Sequence, residues 1–177
     1  MQNLELEEKI IKAKKGDDNA FYELISERKD ILYKTAFTYV KNKEDALDIL
    51  NETVYRAFIS IKKLKEPRFF NTWITRILIN CALDTIRKDK KVLHLDDQVG
   101  IESKPNALAQ EEVFDLYTAV DRLNEKCKTV VILKYFQDMT LAEIAEVLQC
   151  PLGTVKTNLY KALHELRINL EEVELNG

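Results

Sequence analysis

Apolar residues recur at helical spacing from residue 4 to residue 91. Leu6, Ile10 and Ala13 open the series, and Phe21, Leu24 and Ile25 continue it beyond a break at Gly16-Asp17-Asp18. Ile31 to Val40 forms a third segment. The clearest runs from Glu44 to Leu64, where Leu47, Leu50, Val54, Phe58 and Ile61 line one stripe of an α-helix. Asp48, Asn51, Glu52 and Tyr55 share another face of it. Pro67 closes this segment, because a proline disfavours helical geometry in the residue before it. From Phe70 to about Lys88 the spacing predicts a further helix that buries Trp73, Ile77 and Cys81 and shows Thr72, Arg76, Asn80, Asp84 and Arg87 on its other side. The period then lapses. Val92 to Ala107 carries scattered acids, Gly100, Ser103 and Pro105, the composition of a linker. Helical spacing resumes near Gln110 and runs to Leu170, ahead of a polar acidic tail. The expectation is an all-α chain of two small helical domains, residues 1–91 and 110–177, joined by a flexible linker over 92–109.

Composition strengthens the helical reading, since only 4 Gly and 3 Pro interrupt 177 residues. No uncharged apolar run reaches the ~18 residues that a membrane span needs. Met1 to Lys15 is charged and amphipathic and lacks the apolar core of a signal peptide, so a cytoplasmic protein is expected. Cys81, Cys127 and Cys150 lie far apart without CxxC spacing and read as small buried hydrophobes of a reducing compartment, with no disulfide or metal role.

Charge changes the picture more than composition does. Residues 1–92 hold 19 basic and 15 acidic side chains, whereas residues 93–177 hold 8 and 15. Within the first part, residues 62–91 carry 9 basic side chains against 3 acidic ones. That cluster suits phosphates, but the net charge of −3 opposes unaided binding to duplex DNA. A DNA-binding role therefore requires help from a partner.

The sharpest local pattern lies near the C-terminus. Thr140-Leu-Ala-Glu143 has the spacing of a capping box, in which a hydroxyl and a carboxylate satisfy each other's orphan amides at a helix start. The helix it opens is expected to turn Leu141, Ile144, Ala145 and Leu148 inward. A break over Gln149 to Gly153 follows, and then a second short helix buries Val155, Leu159, Ala162 or Leu163, and Leu166. Packed on a preceding helix at about Glu125 to Phe136, this pair forms a helix-turn-helix. The positions left outside are Lys156, Thr157, Asn158, Tyr160 and Lys161. Lysine reaches guanine acceptors, asparagine pairs with adenine, and threonine or tyrosine meets a thymine methyl or a phosphate. The same pattern also fits a solvated face on an ordinary helical hairpin.

Ala142-Glu-Ile-Ala-Glu-Val-Leu and Pro151-Leu-Gly-Thr-Val-Lys-Thr-Asn-Leu-Tyr-Lys-Ala-Leu resemble the promoter-reading domain of extracytoplasmic-function sigma factors, a group within the sigma-70 family of bacterial RNA polymerase subunits. Asp48-Ile-Leu-Asn-Glu-Thr-Val resembles that family's polymerase-binding helix, and Phe70-Asn-Thr-Trp-Ile-Thr-Arg-Ile-Leu-Ile-Asn its promoter-melting helix. The resemblance implies core polymerase and promoter DNA as partners. It implies that Asp48, Asn51, Glu52, Tyr55 and Arg56 meet the clamp helices of the largest polymerase subunit, although the family usually has Gln where this chain has Asn51. The spacing alone fits a solvated polar face equally well.

For the minus-ten element the resemblance implies Arg68, Phe69, Phe70, Arg76 and Asn80, with Leu64 to Phe69 as the specificity loop. Trapping unpaired bases calls for aromatic platforms and a basic groove, which these residues supply. Lys88, Lys90 and Lys91 would meet phosphates. Trp73 reads as core, and Phe70 stands between core and base stacking. For the minus-thirty-five element the resemblance implies Lys156, Thr157, Asn158, Tyr160 and Lys161. Asn158, Lys161 and Leu163 stand where the family commonly has Arg, and lysine is a point charge without the bidentate fork of arginine. The C-terminal domain is thus expected to bind DNA weakly alone. The linker acids Asp96, Asp97 and Glu102 would run towards the RNA exit path. A further implied partner is an anti-sigma factor, often membrane-anchored, on the Asp48-to-Arg56 face or between the domains.

Two other readings compete. An autonomous helix-turn-helix regulator would bind a specific duplex without polymerase. An enzyme finds little support: His94 and His164 are remote from other ligands, and no Gly-rich phosphate loop, GxSxG or HExxH is present. No catalytic residue, metal, cofactor or small-molecule substrate is expected.

Overall fold

Gly16 adopts φ +98°, a left-handed geometry that ends the first helix where a side chain would be strained. The structure, a computed structural model, describes residues 2–93 and 118–176, with side chains over 4–88 and 118–167. Eight α-helices are bounded among the described residues: α1 (Gln2–Lys14), α2 (Asp18–Ser26), α3 (Lys29–Val40), α4 (Lys43–Ser60), α5 (Phe70–Leu93), α6 (Glu125–Phe136), α7 (Leu141–Leu148) and α8 (Leu152–Asn176). Two 3-10 turns, Ile61–Lys63 and Pro67–Phe69, connect α4 to α5. No strand occurs among the described residues, as expected for an all-α chain. The chain divides into two compact units, residues 1–102 and 103–177. The expected linker, including His94, Asp96, Asp97 and Glu102, falls mainly outside the described residues, as do the side chains of Lys90 and Lys91.

Side-chain caps start α2 and α4, whereas α3 begins at Arg28 without one. Asp17 accepts from the Ala20 amide at 3.0 Å, and Asn42 from the Glu44 amide at 2.8 Å, which satisfies donors that the helix itself leaves free. Lys9 then ties α1 to α2 through Glu27 at 2.6 Å and Glu23 at 3.4 Å. The core holds Ile10, Leu24, Leu32, Ile49, Phe70, Ile74 and Leu78. Three buried threonines add no unpaired hydroxyl, because Thr35, Thr38 and Thr53 donate to the carbonyls of Ile31, Lys34 and Ile49.

Two expected stripes are displaced. On α4 the buried positions are Ala46, Ile49, Thr53 and Ala57, while Leu47 and Phe58 are 48% and 47% exposed. Small side chains face the neighbouring helices because α4 packs against both α3 and α5, and close approach excludes large ones. Leu50 and Val54 are half-buried on the shoulder of this stripe. Phe58 still gains an edge-on contact with Phe21, at 5.2 Å between ring centroids. On α5 the core stripe is Phe70, Ile74, Leu78, Cys81 and Ala82, with Trp73 and Ile77 only half-buried. Thr72, expected on the open side, is buried as well, because α5 is covered by α3, α4 and the second 3-10 turn.

In the second unit residues 118–122 are helical and precede Asn124, which caps α6 through the Cys127 amide at 3.0 Å. Helix α6 is central: Cys127, Thr129, Val130, Val131, Ile132 and Leu133 are all buried. Ala119, Val120, Leu123, Cys127, Val131, Ala162 and Leu166 form one apolar cluster, with Leu159 packed against it. Helix α7 buries Ile144 and Val147; Leu141, Ala145 and Leu148, expected inward, are half-buried.

Candidate nucleic-acid and protein interfaces

The polar face predicted on α4 lines an open groove of ≈ 570 Å³ with α5. Asp48, Asn51, Glu52, Tyr55 and Arg56 stand along one wall, and Asp84, Thr85 and Lys88 along the other. Arg56 donates through Nε to Glu52 at 2.6 Å and lies 3.7 Å from Asp84 across the groove. The Glu52 hydrogen bond leads the effects that raise the Arg56 pKa, and the guanidinium stays charged. Cys81 lies at the groove floor, where burial pushes its thiol above the ordinary value. The surface is thus mixed in charge, with the Tyr55 ring 60% exposed beside it, a composition that suits a protein partner.

The segment from Leu64 to Phe69 is held at both ends. Leu64 is buried, and its carbonyl accepts from Lys14 Nζ at 2.5 Å, fifty residues earlier in the chain. Phe70 closes the other end with no accessible surface, its ring 5.9 Å from that of Trp73. Between them Arg68 lies over the Phe69 ring at 4.8 Å and pairs with Glu66 at 2.6 Å. An exposed aromatic face under a guanidinium is a platform on which a base can stack. Arg76 is half-buried and Asn80 exposed further along α5.

Phe70 and Lys88, also expected at the minus-ten element, do not join that exposed platform. Phe70 belongs to the core, since α5 carries it beneath Trp73, and it supports the loop without facing solvent. Lys88 lies 18 residues beyond Phe70, about 27 Å along a helix, and lines the α4–α5 groove. Lys14 was not legible as a site residue, because its partner is a backbone carbonyl that carries no side-chain signal. Asp84 stood on the expected polar face of α5, but only the fold sets it against Arg56.

The capping box is formed. The Thr140 hydroxyl accepts from the Glu143 amide at 3.3 Å, and the Glu143 carboxylate accepts from the Thr140 amide at 2.8 Å. Gln149 ends α7 in the left-handed region at φ 51°. The break is shorter than expected, because α8 begins at Leu152 and takes Gly153 into its first turn; it is also long, with 25 residues. Val155, Ala162 and Leu166 face the core, and Leu163 is 40% exposed, which settles the inward position on Ala162. Lys156, Thr157, Tyr160 and Lys161 are exposed, and Asn158 is half-buried. Tyr160 is 74% exposed, too open for a core role. Thr157 is exposed, and its hydroxyl donates back to the Gly153 carbonyl at 2.9 Å.

Two family models match this chain: sigma-70 region 2 over residues 24–92 and sigma-70 region 4 over residues 114–166. RNA polymerase sigma factor SigV of Bacillus subtilis is 39% identical over 153 residues, 86% of this chain and 92% of the relative. The chain belongs to the extracytoplasmic-function sigma factors. The ECF RNA polymerase sigma factor SigW of the same organism is 31% identical and aligned over 95% of this sigma factor. Two solved structures share its fold. CnrH, in complex with the cytosolic domain of CnrY, matches at TM-score 0.75 with 19% identity, over 94% of this chain and 97% of its own. The sigma factor RpoE of Bartonella quintana, in complex with the anti-sigma factor NepR, matches at TM-score 0.72 with 21% identity, over 84% and 97%. The α4–α5 groove and the Leu64–Phe69 loop of this sigma factor fall in the region 2 match, and α7 with the front of α8 in the region 4 match. No helix among the described residues is long and apolar enough to cross a membrane.

Proposed function

We propose that this sigma factor binds core RNA polymerase and directs promoter-specific initiation in the cytoplasm, without catalytic activity of its own. The observation that carries this reading is the 39% identity to a sigma factor across 86% of the chain, joined to both sigma-70 regions in order. Asp48, Asn51, Glu52, Tyr55 and Arg56 make the polymerase-binding face. Arg68, Phe69, Arg76 and Asn80 meet the minus-ten element, and Lys156, Thr157, Asn158, Tyr160 and Lys161 the minus-thirty-five element. Residues 1–91 act as the region 2 domain and 110–177 as the region 4 domain, with 92–109 as the linker. An anti-sigma factor, membrane-anchored by our reading, covers the Asp48-to-Arg56 face until a signal releases it. RpoE, which shares the fold, is bound by the anti-sigma factor NepR, and this supports a partner of that kind.

Co-migration with sigma-free core polymerase, followed by run-off transcription from promoter libraries, tests the reading. Promoter-specific transcripts are expected, with Asp48→Arg abolishing core binding and Lys156→Glu abolishing transcripts that need the upstream element. A chain that ignores core polymerase yet binds a specific duplex tightly by itself would instead be an autonomous regulator.

A further inference from the structure

We propose that Lys14 is a positioning residue for minus-ten recognition: by holding the Leu64 carbonyl it sets where the Arg68–Phe69 platform stands. This role rests on the sigma-factor reading and gives α1 a part in promoter choice without a DNA contact of its own. Lys14 is half-buried, unlike exposed Lys12 and Lys15, and its Nζ donates to the Leu64 carbonyl at 2.5 Å. No backbone amide among the described residues donates to that carbonyl. Its hydrogen bond comes instead from a side chain 50 residues earlier, on a helix that packs on both 3-10 turns. The ammonium springs from a firm base, because neighbouring Ala13 is buried and its carbonyl accepts from the Gly16 amide at 3.0 Å.

Lys65 to Phe69 hang between two buried side chains, Leu64 and Phe70. Most of the freedom inside that span is already removed. Pro67 keeps Glu66 extended, at φ −119° and ψ 125°, and the Phe69 amide closes the turn on the Glu66 carbonyl at 3.1 Å. Phe70 then leads directly into α5. The joint that remains is Leu64–Lys65, and Lys14 holds it. Rotation there would swing the Pro67–Phe69 turn as a unit and shift Arg68 and Phe69 relative to Arg76 and Asn80 on α5. A binding constellation tolerates only about 0.5 Å of such displacement. A half-buried lysine loses side-chain entropy in making this bond; what the bond adds is a fixed loop entry.

Holoenzymes carrying the wild-type chain, Lys14→Met, Lys14→Arg or Lys9→Met are compared by run-off transcription. The templates are a promoter recovered with the wild type and its single-base variants in both elements. Each wrong base is expected to cost the wild type about 5–150-fold. Lys14→Met should shrink the minus-ten penalties at least about fivefold, within what a lost charge-assisted hydrogen bond can transmit. It should leave the minus-thirty-five penalties and core binding unchanged. Lys14→Arg, which can still donate to the carbonyl, keeps wild-type selectivity. Lys9→Met removes the ties from α1 to Glu23 and Glu27, so it loosens the same helix without touching the loop, and it too keeps selectivity. Unchanged minus-ten penalties in Lys14→Met overturn the positioning role. So do equal losses in both elements, loss of core binding, failure of Lys14→Arg, or the same loss in Lys9→Met, which would make the effect one of stability. Wild-type holoenzyme without promoter-specific transcripts overturns the sigma-factor reading itself, and the role of Lys14 with it.

Discussion

Phe69 and Phe70 are neighbours with opposite work. Phe70 has no accessible surface, and Phe70→Ala is expected to cost about 3–5 kcal/mol, read as a lowered midpoint in urea unfolding. Phe69 is 37% exposed under Arg68, so Phe69→Ala should leave that midpoint nearly unchanged and slow promoter opening, followed by 2-aminopurine fluorescence in the minus-ten strand. Gly153 separates fold from function in a different way. A Cβ added there meets nothing, so Gly153→Ala is expected to stabilise the second unit by about 0.5–1 kcal/mol, as for any glycine inside a helix. Cysteine reactivity reports burial. Burial raises the Cys81 thiol above its ordinary 9.0, so the folded state keeps a proton that the unfolded chain gives up as pH rises past about 9. This contribution to stability is complete below that pH and is lost as pH rises through the higher value of the folded state. At pH 8 a thiol-exchange reagent should therefore label half-buried Cys150 first and Cys81 only as the first unit unfolds.

Helix ends, more than helix middles, decide how the elements present their residues. Thr140 and Glu143 fix the start of α7 by reciprocal hydrogen bonds, and Thr140→Ala should remove about 1 kcal/mol from the unfolding free energy of the full chain. Gln149 in the left-handed region then turns the chain within three residues, so that Lys156 and Tyr160 emerge about one and two turns into α8. In the first unit the Leu64–Phe69 loop depends on α1 for its geometry. Lys14→Met keeps the aliphatic stem but releases the Leu64 carbonyl, and trypsin should then cut after Lys65 faster than in the wild type. Equal cutting rates would show that packing alone holds the loop.

Across the whole chain, the uneven division of charge predicts that DNA binding waits for polymerase. The basic excess lies in residues 62–91, and the recognition helix belongs to a half with 8 basic and 15 acidic residues. Free chain is expected to bind promoter duplex no more tightly than the ~10⁻⁴–10⁻⁶ M of non-specific complexes at physiological salt. Core polymerase, by presenting both units together, should tighten this about 10²–10⁴-fold. Fluorescence anisotropy with and without core measures the difference. Tight specific binding by the free chain would contradict this division of labour.

Much of this protein is legible in sequence because helix period, turn residues and caps are local. The eight bounded helices, the cap at Thr140 and the open positions Lys156, Tyr160 and Lys161 depend on residues within about one or two helical turns. Which stripe of a helix is buried is a different matter. Sequence favours Leu47 and Phe58 on α4 because they are large and apolar, yet tertiary packing buries Ala46, Thr53 and Ala57, because three helices approach closely only where side chains are small. The same limit hid the inward turn of Phe70, the place of Lys88 in the α4–α5 groove and the bond from Lys14 to the Leu64 carbonyl. Each depends on partners distant in the chain, and only the folded structure brings them within reach.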